Sequence, residues 1–377
     1  MSEASGPRSA AAWRRSLADD LRASGAIRSE PIYNAFAAVS RHLFVPVIYR
    51  GRDRILAHLL PDADPSEWES VYRDRTLVTA VDQAGHAVSS STAPSVMAFM
   101  LEALDLRPGL RVLEIGCGTG YNAAVINHIT GCEVVTIDPL PPQVAQARKA
   151  LRRHGVTGVR CGITDGYDGV PEGKPFDRII VTCAVAGIPP GWLDRCAPGA
   201  RIVAPLAHGG IDMLVSIDLH ADGLVTRPIG GAGYFIRAQG PLYPAARQPA
   251  WPRFGAPRII RPAPVPGFRN GYHDMWFAAA VAEPLVTSVF LEGDDGGLGQ
   301  CGLADAGSAT VLRTDGTVAA TGPAAERLAV RGAQLATGWV ASGRPRARHW
   351  RAILRPDASA SPALLVPGPW LRTPENP

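Results

Sequence analysis

The strongest constraint on this chain is the ten-residue segment RVLEIGCGTG, from Arg111 to Gly120. Its first residues have the aliphatic character of a buried strand, and glycine then recurs at positions 116, 118 and 120. Tyr121 follows and opens a segment of helical character. Glycines at alternate positions let the backbone pass close to a ligand, where a Cβ would collide with it. This order of elements predicts a ligand-binding loop at the edge of an open α/β sheet.

The spacing of these glycines indicates the ligand. The pattern that starts at Glu114 is E-x-G-x-G-x-G, which differs from the G-x-G-x-x-G of dinucleotide-binding loops. We therefore predict that the loop binds S-adenosyl-L-methionine (SAM), whose sulfonium centre carries no pyrophosphate that requires a helix N-terminus. The predicted cofactor contacts in the loop are Glu114, Gly116, Cys117, Gly118 and Gly120.

Two further acidic residues end the next two predicted strands. Asp138 ends EVVTID, where a carboxylate would accept hydrogen bonds from ribose hydroxyls. Asp165 follows VRCGIT and precedes Gly166, where an adenine amino group is expected. Each aspartate alone also fits a turn or a helix cap. Three acidic residues that end three successive strands around one glycine loop favour a SAM site.

The alternation of strand-like and helical segments predicts the fold class, α/β, with a doubly wound, Rossmann-like sheet of the class I SAM-dependent methyltransferase type. The runs 212–219 and 223–229 lie too close together for a helical crossover, so we expect an antiparallel hairpin there. The predicted organisation is a helical N-terminal unit (1–75), a methyltransferase domain (76–240), a proline-rich linker (241–266) and an α+β C-terminal module (267–377), a candidate for substrate recognition.

Composition excludes several other classes of protein. A net charge of +4 is too small to argue for a nucleic-acid or membrane-surface partner, and we expect neither. No apolar run approaches about 18 residues, and the N-terminus lacks a signal-peptide core, which favours a cytoplasmic protein. The six cysteines show no C-x-x-C or metal-ligand spacing, so we expect reduced thiols and no metal site.

Four hydroxyl residues, Ser89 to Thr92, lie directly before a predicted helix that opens at Pro94. One interpretation is an N-cap with additional serines. The other is a set of hydrogen-bond donors for an anionic substrate. Local sequence does not separate the two.

Taken together, these residues resemble the protein-L-isoaspartate O-methyltransferase family. The glycine loop of that family has the form V-L-E-I-G-x-G-S/T-G-Y, and this chain has VLEIGCGTGY at 112–121. Further similar segments are TDG at 164–166, FDRIIVTCAVAGIP at 176–189 and AVSRHLFVP at 38–46. The resemblance covers roughly residues 13–240. It implies SAM-dependent methylation of an aspartyl or isoaspartyl side-chain carboxylate in a peptide or protein, followed by succinimide formation.

The chain also departs from the family pattern. The substrate motif of the family is S-Q-P, and the matching positions here are Thr92, Ala93 and Pro94, so the amide is lost. The resemblance therefore assigns substrate contacts to Thr92, assisted by Ser91. The insert at 65–82, the serine run and the C-terminal module are similar to a bacterial subgroup that accompanies ATP-grasp (graspetide) or lanthipeptide maturation. That subgroup implies a ribosomally made precursor peptide as the substrate.

Three functions follow from this comparison. The first is methylation of an aspartate during peptide maturation, which we expect because broad repair would not require an extra C-terminal module. The alternative is a repair-type isoaspartyl methyltransferase with broad protein substrates. The third is a non-catalytic SAM-binding scaffold, which the altered S-Q-P motif suggests. The basic residues Arg344, Arg346, Arg348, Arg351 and Arg355 fit either a solvated face or an attraction for an acidic precursor.

Overall fold

The computed structural model describes residues 9–50, 53–56, 65–170, 173–220, 223–247, 252–262, 267–268, 271–293 and 299–373. The chain divides into two compact units. The first comprises Met1–Cys183, Pro189–Ala204 and Ile236–Leu242, and the second comprises Ala184–Ile188, Pro205–Phe235 and Tyr243–Pro377.

The first unit combines six helices with nine strands among its described residues. The helices are α1 (Ala10–Ala23), α2 (Glu30–Ala38), α3 (Pro65–Tyr72), α4 (Pro94–Leu104), α5 (Tyr121–Thr130) and α6 (Pro141–Arg153). The strands are β1 (Val47–Arg50), β2 (Asp53–Leu56), β3 (Leu77–Val81), β4 (Ala87–Ser91), β5 (Val112–Ile115), β6 (Val134–Asp138), β7 (Val159–Ile163), β8 (Phe176–Val181) and β9 (Cys196–His208). The last residues of β9, from Pro205, belong to the second unit.

A parallel sheet with the order β7-β6-β5-β8-β9 forms the centre of the first unit. Every residue of β5 and β6 is buried, because a parallel strand is covered on both faces. This burial accounts for the uninterrupted apolar character of these segments in the sequence. The carboxyl ends of β5, β6 and β7 lie at the same edge, as the predicted doubly wound α/β fold requires.

A smaller antiparallel sheet, β2-β1-β3-β4, lies N-terminal to the parallel one in the chain. Pairing of Tyr49 in β1 with Val78 in β3 crosses the predicted boundary after residue 75, so 1–75 belongs to the same compact unit as the residues that follow. The predicted helical N-terminal unit contains α1 and α2. Helix α2 ends at Ala38, because Val39 adopts extended backbone and a 3₁₀ turn follows at Arg41–Leu43.

The second unit contains two helices and eleven strands in the part of the chain that is described. The helices are α7 (Tyr272–Ala282) and α8 (Ala325–Ala341). The strands are β10 (Ile211–His220), β11 (Gly223–Gly233), β12 (Arg253–Phe254), β13 (Ile259–Pro262), β14 (Val286–Leu291), β15 (Gln300–Asp305), β16 (Ser308–Leu312), β17 (Thr317–Thr321), β18 (Trp350–Pro356), β19 (Leu365–Pro367) and β20 (Leu371–Arg372).

The predicted hairpin is confirmed as the antiparallel pair β10 and β11. It groups with the C-terminal residues, because β11 also pairs with β18 through Val225 and Ile353. The chain passes from the first unit to the second after Leu242, close to the predicted boundary at residue 240, but residues 205–235 already belong to the second unit.

The proline-rich segment 241–266 also differs from the prediction of a linker. Its β12 pairs with β14 and its β13 with β17, so both strands belong to a six-stranded sheet with the order β12-β14-β15-β16-β17-β13. Residues 248–251 and 263–266 of this segment lie outside the described residues. Over the described part of the chain, no helix is both long and apolar enough to cross a bilayer.

Candidate functional site

The glycine loop between β5 and α5 adopts backbone conformations that side chains rarely tolerate. Gly116 has a φ of +100°, and a Cβ there would lie 2.5 Å from Thr182 Oγ1. The Thr182 hydroxyl donates to the carbonyl of Gly116 at 2.8 Å. Gly120 has a φ of +82°, and its added Cβ would lie 3.1 Å from the Ala147 Cβ. These two glycines are therefore required by the fold of the loop itself.

A pocket opens beside this loop, at the carboxyl ends of three neighbouring parallel strands. Gly116 follows β5, Asp138 ends β6 and Gly166 follows β7, and all three line the pocket. Val88 of β4, Cys183 and the segment 236–239 complete much of the wall. The structure thus brings together three of the residues that the sequence predicts for cofactor binding. Parallel strands explain this, because their carboxyl ends meet at one edge.

The Glu114 side chain supports the loop from within the protein. It is 1% exposed, and its two carboxylate oxygens accept hydrogen bonds from Asn122 Nδ2 at 2.7 Å and Thr136 Oγ1 at 2.6 Å. Burial raises the pKa of Glu114 to about 7, and the two hydrogen bonds oppose that rise. Through these two hydrogen bonds, Glu114 connects β5 to α5 and to β6.

Asp138 joins the glycine loop to the next strand. Its Oδ2 accepts a hydrogen bond from the backbone N–H of Gly118 at 3.2 Å, and its Oδ1 accepts one from Leu140 at 3.0 Å. Burial raises the pKa of this carboxyl above its ordinary value. The carboxylate is held by backbone donors while it faces the pocket, which fits a group placed to accept hydroxyl hydrogen bonds.

Asp165 and Gly166 lie under a segment that sequence reasoning missed. Asp165 Oδ1 accepts a hydrogen bond from the Tyr167 backbone at 2.8 Å. A Cβ added to Gly166 would lie 2.7 Å from Leu242 Cδ1, and one added to Gly240 would lie 2.8 Å from Asp165 Oδ2. Residues 236–242 therefore pack against this end of the pocket. They have neither strand nor helix periodicity, so the sequence gives no signal for this placement.

The Cys117 side chain is directed into the protein. It is 4% exposed and hydrogen-bonds with Cys161 of β7 and with the Thr136 hydroxyl. The hydrogen bond with Cys161 and burial raise the pKa of the Cys117 thiol well above its ordinary value. The backbone N–H of Cys117 donates to the carbonyl of Ile137 at 3.0 Å, and its carbonyl accepts from the Gly120 N–H at 2.9 Å, so Cys117 supports the loop. All six cysteines are free thiols.

The serine run belongs to a strand rather than a helix cap. Ser89 to Ser91 form the end of β4, and the N-cap residue of α4 is Ala93, which makes no side-chain cap hydrogen bond. The Ser91 hydroxyl is buried and accepts a hydrogen bond from Arg41 Nε at 3.3 Å. Thr92 lies between strand and helix and is only partly buried. The interpretation as an N-cap is therefore wrong for this run.

Residues outside the serine run accept hydrogen bonds from the backbone N–H groups at the start of α4. The backbone N–H of Ser95 donates to Asp74 Oδ1 at 2.8 Å, and that of Ala93 donates to Thr76 Oγ1 at 3.3 Å. Both acceptors lie in the insert at 65–82.

No group of three or more His, Cys, Asp or Glu side chains converges as a metal site within the described residues.

A parallel sheet with a glycine loop, and with acidic residues at the ends of neighbouring strands, defines the class I SAM-dependent methyltransferase fold. The profile of the family described as Protein-L-isoaspartate(D-aspartate) O-methyltransferase matches residues 63–239. A protein-L-isoaspartate O-methyltransferase of Pyrococcus horikoshii is 35% identical over 194 residues, which are 52% of this chain and 77% of the relative. The chain therefore belongs to the protein-L-isoaspartate O-methyltransferase family.

Other relatives agree with this assignment. Protein-L-isoaspartate O-methyltransferase of Gloeobacter violaceus is 33% identical over 213 residues, 56% of this chain and 88% of the relative. A solved structure titled protein-L-isoaspartate O-methyltransferase aligns with a TM-score of 0.55 at 23% identity. That alignment covers 94% of this chain and 99% of the solved chain, so the likeness in fold extends past residue 240.

We predict losses of SAM affinity of different size for alanine at two glycines of the loop. Gly116→Ala forces a side chain into a φ of +100° and against Thr182, so we expect SAM affinity to fall at least about tenfold. Gly118→Ala should lower it by less than about threefold, because its added Cβ has only ordinary contacts at 3.5 Å or more, although a φ of +47° also strains an alanine. Isothermal titration calorimetry measures both, and equal losses would contradict the assignment.

We also predict a dependence of stability on pH that arises from Glu114. Because its folded-state pKa is raised, its stabilisation is complete below its ordinary pKa and is lost as pH rises through about 7. The free energy of unfolding should fall by about 1 to 2 kcal/mol between pH 6 and pH 8 from this group. Glu114→Gln should remove that part of the slope in urea denaturation.

Glu133→Gln is the matched control for this measurement. A hydrogen bond from Arg111 lowers the pKa of Glu133, so its contribution is lost only in acid, below the range tested. The assignment to Glu114 would be overturned if the slope of the unfolding free energy against pH stays intact in Glu114→Gln. It would also be overturned if the slope disappears in Glu133→Gln.

Proposed function

We propose that this chain is a SAM-dependent carboxyl O-methyltransferase that modifies isoaspartyl side chains of peptides or proteins. The observation that carries the proposal is the family match over 63–239, which includes the pocket-lining Gly116, Asp138 and Gly166 as well as Thr92. The curated relatives bear the name of this activity. The repair-type alternative is therefore the better supported of the functions that the sequence leaves open.

The residues of the pocket fit SAM. Gly116 and Gly166 line the pocket, and their lack of a Cβ lets this backbone pack against Thr182, Leu242 and Ile115. The Asp138 carboxylate faces the pocket and is suited to ribose hydroxyls. When bound, SAM supplies an electrophilic methyl group on its sulfonium sulfur. We assign Glu114, Cys117, Gly118 and Gly120 to the support of the loop that holds it.

The methyl-transfer reaction does not require the protein to transfer a proton. A side-chain carboxylate has a pKa near 4, so it is ionised and nucleophilic at neutral pH without a general base. The protein must instead align one carboxylate oxygen and remove part of its water. We assign alignment to the Thr92 hydroxyl, which would donate to the other carboxylate oxygen. Ser91 acts behind it, since its own hydroxyl accepts from Arg41.

The product is a methyl ester whose methoxide is a better leaving group than the original oxide. Attack by the following backbone nitrogen then forms the C–N bond of a succinimide. The nitrogen loses its proton and methanol leaves, so this step needs no residue of the enzyme. We expect it to follow methylation in solution.

The C-terminal module does not separate repair from peptide maturation, contrary to the expectation from the sequence. A solved structure titled protein-L-isoaspartate O-methyltransferase aligns with 94% of this chain, so such a module is compatible with a protein of that name. Maturation of a ribosomally made precursor remains a second candidate. It is supported by the change of S-Q-P to Thr92, Ala93 and Pro94, and by the basic residues at 344–355, which are exposed.

The assay we propose compares two acceptors in the presence of methyl-labelled SAM. An isoaspartyl peptide should acquire base-labile label, and an aspartate-rich peptide with a side-chain macrocycle should not. The reverse pattern would support maturation, and no label on either would favour a non-catalytic scaffold. Thr92→Val should lower kcat by about 10- to 100-fold, since an aligning hydroxyl is lost, and Thr92→Ser should restore most of it. Equal rates for Val and Ser would contradict the role of Thr92.

The exposed basic residues give a separate prediction if an acidic precursor is the substrate. Arg348→Glu combined with Arg351→Glu should raise KM for an aspartate-rich peptide at low salt, and added salt should reduce the difference. The control is Arg152→Glu with Arg153→Glu in α6, which changes the net charge equally at another exposed place. An unchanged KM, or the same rise in the control, would remove this surface from consideration.

A further inference from the structure

Arg41 is a fully buried cation whose hydrogen bonds go to backbone carbonyls and one hydroxyl. It is 0% exposed. Its Nη1 donates to the carbonyls of Val71 and Arg73, at 2.9 and 3.1 Å. Its Nη2 donates to the carbonyls of Arg75, Ser91 and Thr92, at 3.0, 3.2 and 3.1 Å, and its Nε donates to the Ser91 hydroxyl. One side chain thus gathers two stretches of backbone that are distant in sequence.

The two stretches are the segment 71–76, within the insert, and the segment 91–95, which carries Thr92. Arg41 lies between them and binds both. Two hydrogen bonds that do not involve Arg41 connect the same segments. The Ser95 N–H donates to the Asp74 carboxylate, and the Ala93 N–H donates to the Thr76 hydroxyl. The backbone on both sides of Thr92 is therefore fixed by hydrogen bonds, and we name this arrangement the Arg41 clamp.

Stability alone is a weak explanation for such an arrangement. A buried charge is expensive to desolvate, and apolar replacements of buried ionic groups are often neutral or stabilising. A guanidinium offers five donors in a rigid plane, which fixes the positions of several carbonyls at once. Burial lowers the pKa of Arg41 to about 10, so it keeps its proton at neutral pH. The arrangement is suited to fixing geometry.

We infer that Arg41 is a positioning residue for methyl transfer, which holds the Ser91–Thr92 backbone so that the Thr92 hydroxyl meets the substrate carboxylate. This inference rests on the proposed function of Thr92. Arg41 itself would touch neither the substrate nor the reacting atoms. It acts through the backbone carbonyls of Ser91 and Thr92 and through the Ser91 hydroxyl.

The test is a double-mutant cycle on the full chain with an isoaspartyl peptide as acceptor. Arg41→Lys keeps the charge but cannot reach all the carbonyls, so we expect kcat to fall on the order of 100-fold while the Kd for SAM changes less than about twofold. In the Thr92→Val background the same change should cause little further loss, because both act on one hydroxyl. If the kcat losses of the two single variants multiply in the double variant, or if SAM affinity falls together with kcat, Arg41 has a structural role and the inference is overturned.

Thr76→Val provides a second variant, since Thr76 is exposed and its change does not disturb the core. It removes the acceptor for the Ala93 N–H, so we expect a smaller fall in kcat, about threefold to tenfold, with unchanged SAM affinity. An unchanged kcat in this variant would count against the clamp.

Amide hydrogen exchange separates this inference from the proposed function. Arg41→Lys and Thr76→Val should each speed exchange in residues 91–95 and leave the N–H groups of β5 protected. If the wild-type chain methylates neither peptide, the proposed function fails, and exchange still tests whether Arg41 fixes this segment. Unchanged exchange in both variants would overturn the clamp whatever the activity.

Discussion

The buried carboxylate of Glu114 is the interaction on which the pocket depends. It lies one residue before the end of β5 and is bound by Asn122 of α5 and Thr136 of β6, so one ionisable group connects the three elements around the glycine loop. The cost of burying it appears as its raised pKa, and the two donors offset part of that cost. Asp138 and Thr182 then hold the backbone of Gly118 and Gly116 from the two neighbouring strands.

Residues whose positions follow from strand geometry were predictable from the sequence. Asp138 ends β6 and Gly166 follows β7, and the carboxyl ends of parallel strands meet at one edge, so their presence in one pocket needs no long-range information. The side-chain environment of Glu114 was less predictable. A motif places a residue at the end of a strand, but the partners that come from α5 and β6 decide whether it faces the ligand or the interior.

Features that depend on pairing between distant segments were missed. The serine run resembles a cap because hydroxyls precede Pro94, yet Ser91 pairs with Leu77 in β4 and β3. The prolines of 241–266 suggest a linker, yet β13 is an edge strand of the six-stranded sheet, where a missing N–H is tolerated. Arg41 lies in the predicted helical N-terminal unit, and its role emerges only when five backbone carbonyls from two other segments surround it.

The chain passes between its two compact units five times, after residues 183, 188, 204, 235 and 242. A single proteolytic cut therefore cannot release either unit whole. Truncation after residue 240 would leave β10 and β11 without β18, the partner of β11, and would expose an unpaired strand edge that invites aggregation. Separate expression of either unit would require joining segments that are not contiguous in the sequence.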